Sequence, residues 1–340
     1  MRITVFIIIC CFISYPAYSQ TITVEKNNTF SISEEYPVGS GTTAKYDGNG
    51  NVFIHNLTQS LFRVFNEKGD LLYSFGKKGK GPGDLGRVRR FRLSDDDNLL
   101  VALDAENNRI STFHAEDGTF LNTNLLNINV SGLHRFDMRE NYLLLTGNHP
   151  DNNKILHYFD AETKEYKFSV GEFIDWEETS IRFVSPQIEN QLNKGDFLPT
   201  ENGYLLALSS PYIIRSYSNT HTLQWEIKDP VIPKPWIDHI EITPVSYRVK
   251  YYPSLAEMFE MGDESFLVHW VDTEPFDERD QWSYYIDLRQ LEDGSLITRK
   301  ELPFRGIIHD MKQLDDMRFR TLVLNDNEFI FEEYIITIAK

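Results

Sequence analysis

The stretch that decides the fold is GKKGKGPGDLGRVRRFRLSDDDNLLVALDAENNRISTF, Gly76 to Phe113. A glycine-proline loop leads into an arginine-rich run, an aspartate turn, an apolar run and an Asp-Asn turn. A further alternating run ends at Phe113. A unit of short strands and tight turns cannot bury its own apolar faces, so it requires neighbours built like itself. Such copies are present. LFRVFNEKGDLLYSFG (Leu61–Gly76) aligns with RISTFHAEDGTFLNTNL (Arg109–Leu125) and with KILHYFDAETKEYKFSVG (Lys154–Gly171). In each, an alternating strand ends at Phe65, Phe113 or Phe159, a polar turn follows, and a second strand leaves. The repeat spans roughly 45 to 50 residues, the length of a four-stranded propeller blade.

Beyond these copies the strand order continues more loosely. Tyr204–Leu208, Tyr212–Tyr217 and Thr222–Ile227 form a fourth set, and Phe266–Val271, Tyr284–Leu288 and Ser295–Lys300 a fifth. Met311–Leu314, Arg318–Leu324 and Glu328–Ile338 form a sixth set that lacks one strand. Thr21–Val24 or Thr29–Ser33 can supply it, closing a ring and removing an exposed edge. The expectation is an all-β, six-bladed β-propeller over residues 20–340, with five and seven blades as the neighbouring counts. Three segments interrupt the pattern: Glu177–Lys194, with room for a short helix, Pro230–Pro253 with Trp236 and His239, and the acidic Thr273–Trp282. Inserted loops of this kind shape a binding face or simply ride on the surface.

At Gly79-Lys80-Gly81-Pro82-Gly83-Asp84-Leu85 followed by LLVALDAENNRISTF (Leu99–Phe113), the chain resembles an NHL-type repeat, with Asp104, Asn107, Arg109 and Phe113 at the motif positions. The resemblance implies a six-bladed propeller of the exported type found in Bacteroidota-like bacteria. It carries fold and little function. The residues themselves read as structural: Asp104 and Asn107 suit backbone bonding in a turn, and Arg109 suits pairing with Asp104.

Both cysteines, Cys10 and Cys11, lie in an N-terminal segment with Arg2, the apolar run ITVFIIICCFISY and Ala17-Tyr18-Ser19. This reads as a signal peptide, residues 1–19, cleaved before Gln20. An uncleaved anchor or a lipoprotein are the alternatives, and the apolar run is short for a bilayer span. The remaining chain has no cysteine, which excludes disulfides and thiolate metal sites there. The formal charge of −17 disfavours a nucleic-acid partner. No later segment is apolar enough to span a membrane.

Catalytic signatures are absent: no G-x-S-x-G elbow, no H-E-x-x-H and no P-loop occur. Asp47-Gly48-Asn49-Gly50-Asn51 begins like a calcium loop, but Val52 and Thr58 stand where glycine and glutamate are required, so it reads as a turn. No cofactor is expected; Ca²⁺ or Zn²⁺ belongs only to the alternative of a propeller hydrolase or lyase with a channel metal. The candidate ligand residues are cations near the start of innermost strands, Arg87, Arg89, His134, Arg135 and His309, with Trp236 and His239 as loop contacts. They suggest a positive channel mouth for an anionic ligand, a carboxylated sugar or a peptide terminus. The competing reading pairs these cations with the surplus acids Asp84, Asp137 and Asp310. The chain thus reads as an exported binding or interaction module, in the periplasm, outside the cell or at the cell surface. Its partner is a small molecule, a glycan or an envelope protein, and an envelope scaffold subunit is a third reading.

Overall fold

The computed structural model describes residues 20–30, 42–56, 59–94, 96–126, 131–139, 142–148, 154–163, 165–172, 195–208, 212–228, 240–242, 247–249, 254–272, 281–325 and 330–339. Residues 1–19, the Glu177–Lys194 insertion, Trp236 and His239 lie outside them. The chain is a six-bladed β-propeller of four-stranded antiparallel blades.

The first strand, β1 (Thr21–Phe30), precedes the blades. Blade 1 is β2 (Thr42–Tyr46), β3 (Val52–Asn56), β4 (Leu61–Phe65) and β5 (Leu71–Phe75). Blade 2 is β6 (Val88–Leu93), β7 (Leu99–Asp104), β8 (Arg109–His114) and β9 (Phe120–Leu125). Blade 3 is β10 (Ser131–Arg139), β11 (Tyr142–Asn148), β12 (Lys154–Asp160) and β13 (Tyr166–Glu172). Blade 4 is β14 (Gly195–Thr200), β15 (Gly203–Leu208), β16 (Ile213–Ser218) and β17 (Leu223–Lys228). A two-stranded hairpin, β18 (Ile240–Ile242) and β19 (Tyr247–Val249), sits in the proline-rich insertion. Blade 5 is β20 (Ser254–Glu260), β21 (Ser265–Asp272), β22 (Ser283–Gln290) and β23 (Leu296–Glu301). Blade 6 is β24 (Gly306–Asp315), β25 (Arg318–Asn325) and β26 (Phe331–Ala339), with β1 antiparallel to β26 as its outer strand, from Thr21 opposite Ala339 to Phe30 opposite Phe331.

Strand alternation explains why the blades stack. In β7, Leu100 and Ala102 face one way and join Phe53, Phe62, Phe91 and Phe113 in the seam between blades 1 and 2. Val101 and Leu103 face the other way and join Phe136, Leu143 and Phe159 between blades 2 and 3. Six such clusters occupy the six seams, the last joining Ala44 and Ile54 of blade 1 to Leu322 and Phe331 of blade 6. Each fully buried Phe contributes roughly 1.5–3 kcal/mol by leaving water. The centres of the second and third strands are therefore buried on both faces, while the outermost strands expose Leu72, Leu125 and Leu223.

Two turns fix the approach of neighbouring blades. Gly118 (φ +72°) and Gly294 (φ +73°) end hairpins in the left-handed region. A side chain on Gly118 would collide with the Phe75 ring of blade 1, and one on Gly294 would meet Trp225 of blade 4 at 2.8 Å.

The motif of blade 2 is a latch. The buried Asp104 accepts hydrogen bonds from the Gly86 amide (2.9 Å), from Asn107 Nδ2 (2.6 Å) and from Arg109 Nε (3.3 Å). Arg109 in turn donates to the carbonyls of Lys80 (3.0 Å) and Asp84 (2.6 Å), holding the glycine-proline loop to the blade. The Asp47 turn is also internally satisfied, its carboxylate accepting from the amides of Asn49 and Asn51 at 2.9 and 2.8 Å.

Candidate functional site

The first strand of every blade lines the central axis. Each carries a charged residue followed by an apolar one: Lys45-Tyr46, Arg90-Phe91, Arg135-Phe136, Asp196-Phe197, Glu257-Met258 and Asp310-Met311. Alternation sends the apolar partner into a seam: Tyr46, Phe91, Phe136, Phe197 and Met258 each belong to a different core cluster, and Met311 packs against the sixth. The charged partner is left facing the axis. The result is a ring of six charges, one per blade, split by sign. Blades 1 to 3 supply Lys45, Arg90 and Arg135, spaced 45 residues apart, and blades 4 to 6 supply Asp196, Glu257 and Asp310.

Ion pairs form where the halves meet and across the axis. Lys45 Nζ lies 3.0 Å from Asp310 and 3.9 Å from Glu257. Arg135 Nε lies 2.9 Å from Asp196 and its Nη1 2.7 Å from Glu257. The carboxylates also pin adjoining strands. The Met258 amide donates to Asp196 and the Tyr46 amide to Asp310, both at 2.8 Å. Burial opposes ionisation of Glu257, but Arg135 and Lys45 override it and hold the carboxyl down at about 2. Burial prevails at Asp196, whose pKa is raised despite Arg135. Burial and then the neighbouring Arg135 charge push Arg90 down to about 10.

Above the ring the channel widens into a cup of about 660 Å³. Arg92 pairs with Asp137 on its wall. At its rim Asp97, held at φ +56°, accepts from the Gly48 amide and from Lys312 Nζ at 3.4 Å, tying together turns of blades 1 and 2 and the inner strand of blade 6. Leu198, Phe259 and Phe319 supply apolar wall.

The lining corrects the placement expected from sequence. Simple alternation from Arg87 puts Arg87 and Arg89 on the channel face. The β6–β7 register instead jumps from Val88–Asp104 to Arg90–Leu103, so Arg89 is a bulge residue. One extra residue reverses the faces that follow. Arg90 and Arg92 line the cup, Arg87 is exposed outside the strand, and Arg89 is half-buried. His309 is likewise at a bulge, between Ile308 and Asp310; burial, with Arg90, Lys45 and Arg135 nearby, lowers its pKa to about 3. Arg135 lines the cup. The side chain of His134 lies outside the described residues, as do Trp236 and His239. The mouth is not uniformly positive: among the described residues five basic and seven acidic side chains line it, with the basic ones on blades 1, 2, 3 and 6. Asp137 and Asp310 do pair with its cations, whereas Asp84 pairs with Lys77 at 3.5 Å. The ring carboxylates Asp196 and Glu257 were missed in the sequence; the signal available was the recurring charged-apolar pair in each first strand. Among the described residues, no three imidazole, thiol or carboxylate groups cluster to hold a metal ion, and no helix is long and apolar enough to cross a membrane.

No curated protein matches the chain. A model of the DUF5128 family, described as a 6-bladed beta-propeller, matches residues 33–191. Among solved structures, a DUF4221 family member from Bacteroides vulgatus is similar with a TM-score of 0.64 at 10% identity, covering 94% of this chain and 99% of that one. A Bacteroides fragilis protein described as exported is similar with a TM-score of 0.52 at 13% identity, covering 96% of this chain and 97% of that one. At such identities the likeness is one of fold, and it agrees with the blades, the seams and the central ring in making this chain a six-bladed β-propeller.

Proposed function

We propose that the chain is an exported binding module whose channel cup takes a small ligand through a carboxylate, a uronic-acid sugar or a peptide terminus. One observation carries this reading: Arg90, Arg92 and Arg135, from adjoining blades, line one side of a cavity of about 660 Å³. A guanidinium presents its donors in a planar fork that matches the two oxygens of a carboxylate. The acidic side formed by Asp196, Glu257 and Asp310 orients the ligand by repelling its carboxylate toward blades 2 and 3. The signal-like segment before Gln20 and the likeness to a protein described as exported support export.

Calorimetric titration with tetragalacturonate and with a short peptide bearing a free C-terminus tests the reading. Arg92→Gln is expected to weaken binding about tenfold or more, the loss of one charge-assisted contact. Absence of binding to both probes, or equal binding by the variant, would overturn it. N-terminal sequencing of the native protein is expected to begin at Gln20.

A further inference from the structure

A second cavity, of about 800 Å³, lies between blades 4 and 5 on the face that carries the channel mouth. Among the described residues it shares a single one with the cup, Asp263, and so runs outward from it. Its walls come from blade 4 at Asn202, Ser218, Gln224 and Trp225, and from blade 5 at Glu264 and Gln290. Gln20, ahead of β1, closes one side.

Trp225 is held in place from blade 5. Its Nε1 donates to the Leu291 carbonyl at 3.3 Å, its ring stacks with Phe266 at 6.4 Å and 19°, and the Gly294 turn lies against the ring edge. The indole is therefore fixed before any ligand arrives, which lowers the ordering cost of binding. Around it stand amides and hydroxyls, and among the described residues no lysine or arginine lines the cavity. Side-chain amides offer a donor and an acceptor side by side, the pattern that neighbouring sugar hydroxyls require. Aromatic surface accompanied by a few oriented polar groups is the usual make-up of a small-molecule site. The carboxylates Asp263, Glu264 and Glu292 accept from hydroxyls and repel phosphates and carboxylates.

We infer that this groove binds a neutral oligosaccharide, with Trp225 as the apolar platform and Asn202, Gln224 and Gln290 as hydroxyl readers. It is distinct from the carboxylate site proposed for the cup, and its test separates the two. Four-unit gluco-, manno-, xylo- and galacto-oligosaccharides are titrated into the chain starting at Gln20, alongside tetragalacturonate and an oligolysine peptide. At least one neutral series is expected to bind. Trp225→Ala is expected to weaken it at least about tenfold. Because that variant also removes packing against Phe266, an Asn202→Ala/Gln290→Ala double variant, altered only at exposed turn or strand-end positions, is measured too; it is expected to weaken binding by a similar factor. Arg92→Gln is expected to leave neutral binding unchanged. The inference is overturned if no neutral series binds, if only the oligolysine peptide binds, or if the double variant binds the sugar as the wild type does.

Discussion

Arg135 on blade 3 meets Glu257 on blade 5 at 2.7 Å while its Nε holds Asp196 on blade 4 at 2.9 Å, so one guanidinium ties three blades together at the axis. The side chains of Arg135 and Glu257 are only 15% and 11% exposed, so solvent screens the pair little.

Removing the shared cation leaves two buried carboxylates without it. Arg135→Met is expected to lower unfolding free energy by about 3–5 kcal/mol, the cost of breaking a buried pair from one side. Glu257→Gln is expected to cost less, because Arg135 keeps Asp196. Denaturant midpoints should rank wild type above Glu257→Gln above Arg135→Met; the reverse order of the variants would show that the ring does not brace the blades.

Acid sensitivity is expected to begin well above the carboxylate range. His55 and His269 are fully buried, and no hydrogen-bond partner satisfies either ring among the described residues. Burial lowers both pKa values to about 4, and that of His309 to about 3. Below pH 6.5 the unfolded chain takes up protons that the folded one refuses. Their stabilising contribution is thus complete above pH 6.5 and is lost as pH falls toward 4 and 3. Each group steepens the loss by up to about 1.4 kcal/mol per pH unit. Stability measured from pH 7 to 4 should fall, and His269→Phe should flatten the slope; an unchanged slope in that variant counts against the assignment.

The Asp104 latch has a local readout. Asp104→Ala strands the buried Arg109 and frees the Gly86 amide, with an expected loss of about 3–5 kcal/mol. The side chains of Lys77, Lys78 and Lys80 are already exposed, and loop release should free the backbone beside them to enter trypsin. Faster cleavage there in Asp104→Ala, with Asp104→Asn intermediate, is the expected pattern; cleavage rates equal to wild type would mean that the loop is held by other contacts.

Strands whose two faces meet like faces were legible from the chain. The runs at Leu99–Leu103, Arg109–Phe113 and Leu61–Phe65 alternate or are wholly apolar, and the structure contains each of them as β7, β8 and β4. The first strands of blades 1, 4 and 5, TTAKY, GDFLPT and SLAEMFE, were not read as strands. Each carries a charge where a buried strand normally carries an apolar residue. That charge is admissible only because the ring provides a channel and an oppositely charged neighbour, which are properties of the closed molecule.

The sequence by itself determined the blade, its period and the need for stacking, because these follow from local alternation, turn residues and the burial that a single sheet cannot achieve alone. Tertiary structure decided which charges face the axis. A bulge at Arg89 reversed the faces of β6 beyond what alternation predicts. Ring closure then set Arg135 against Glu257, residues 122 apart in the chain, through a register and a curvature that no local stretch encodes.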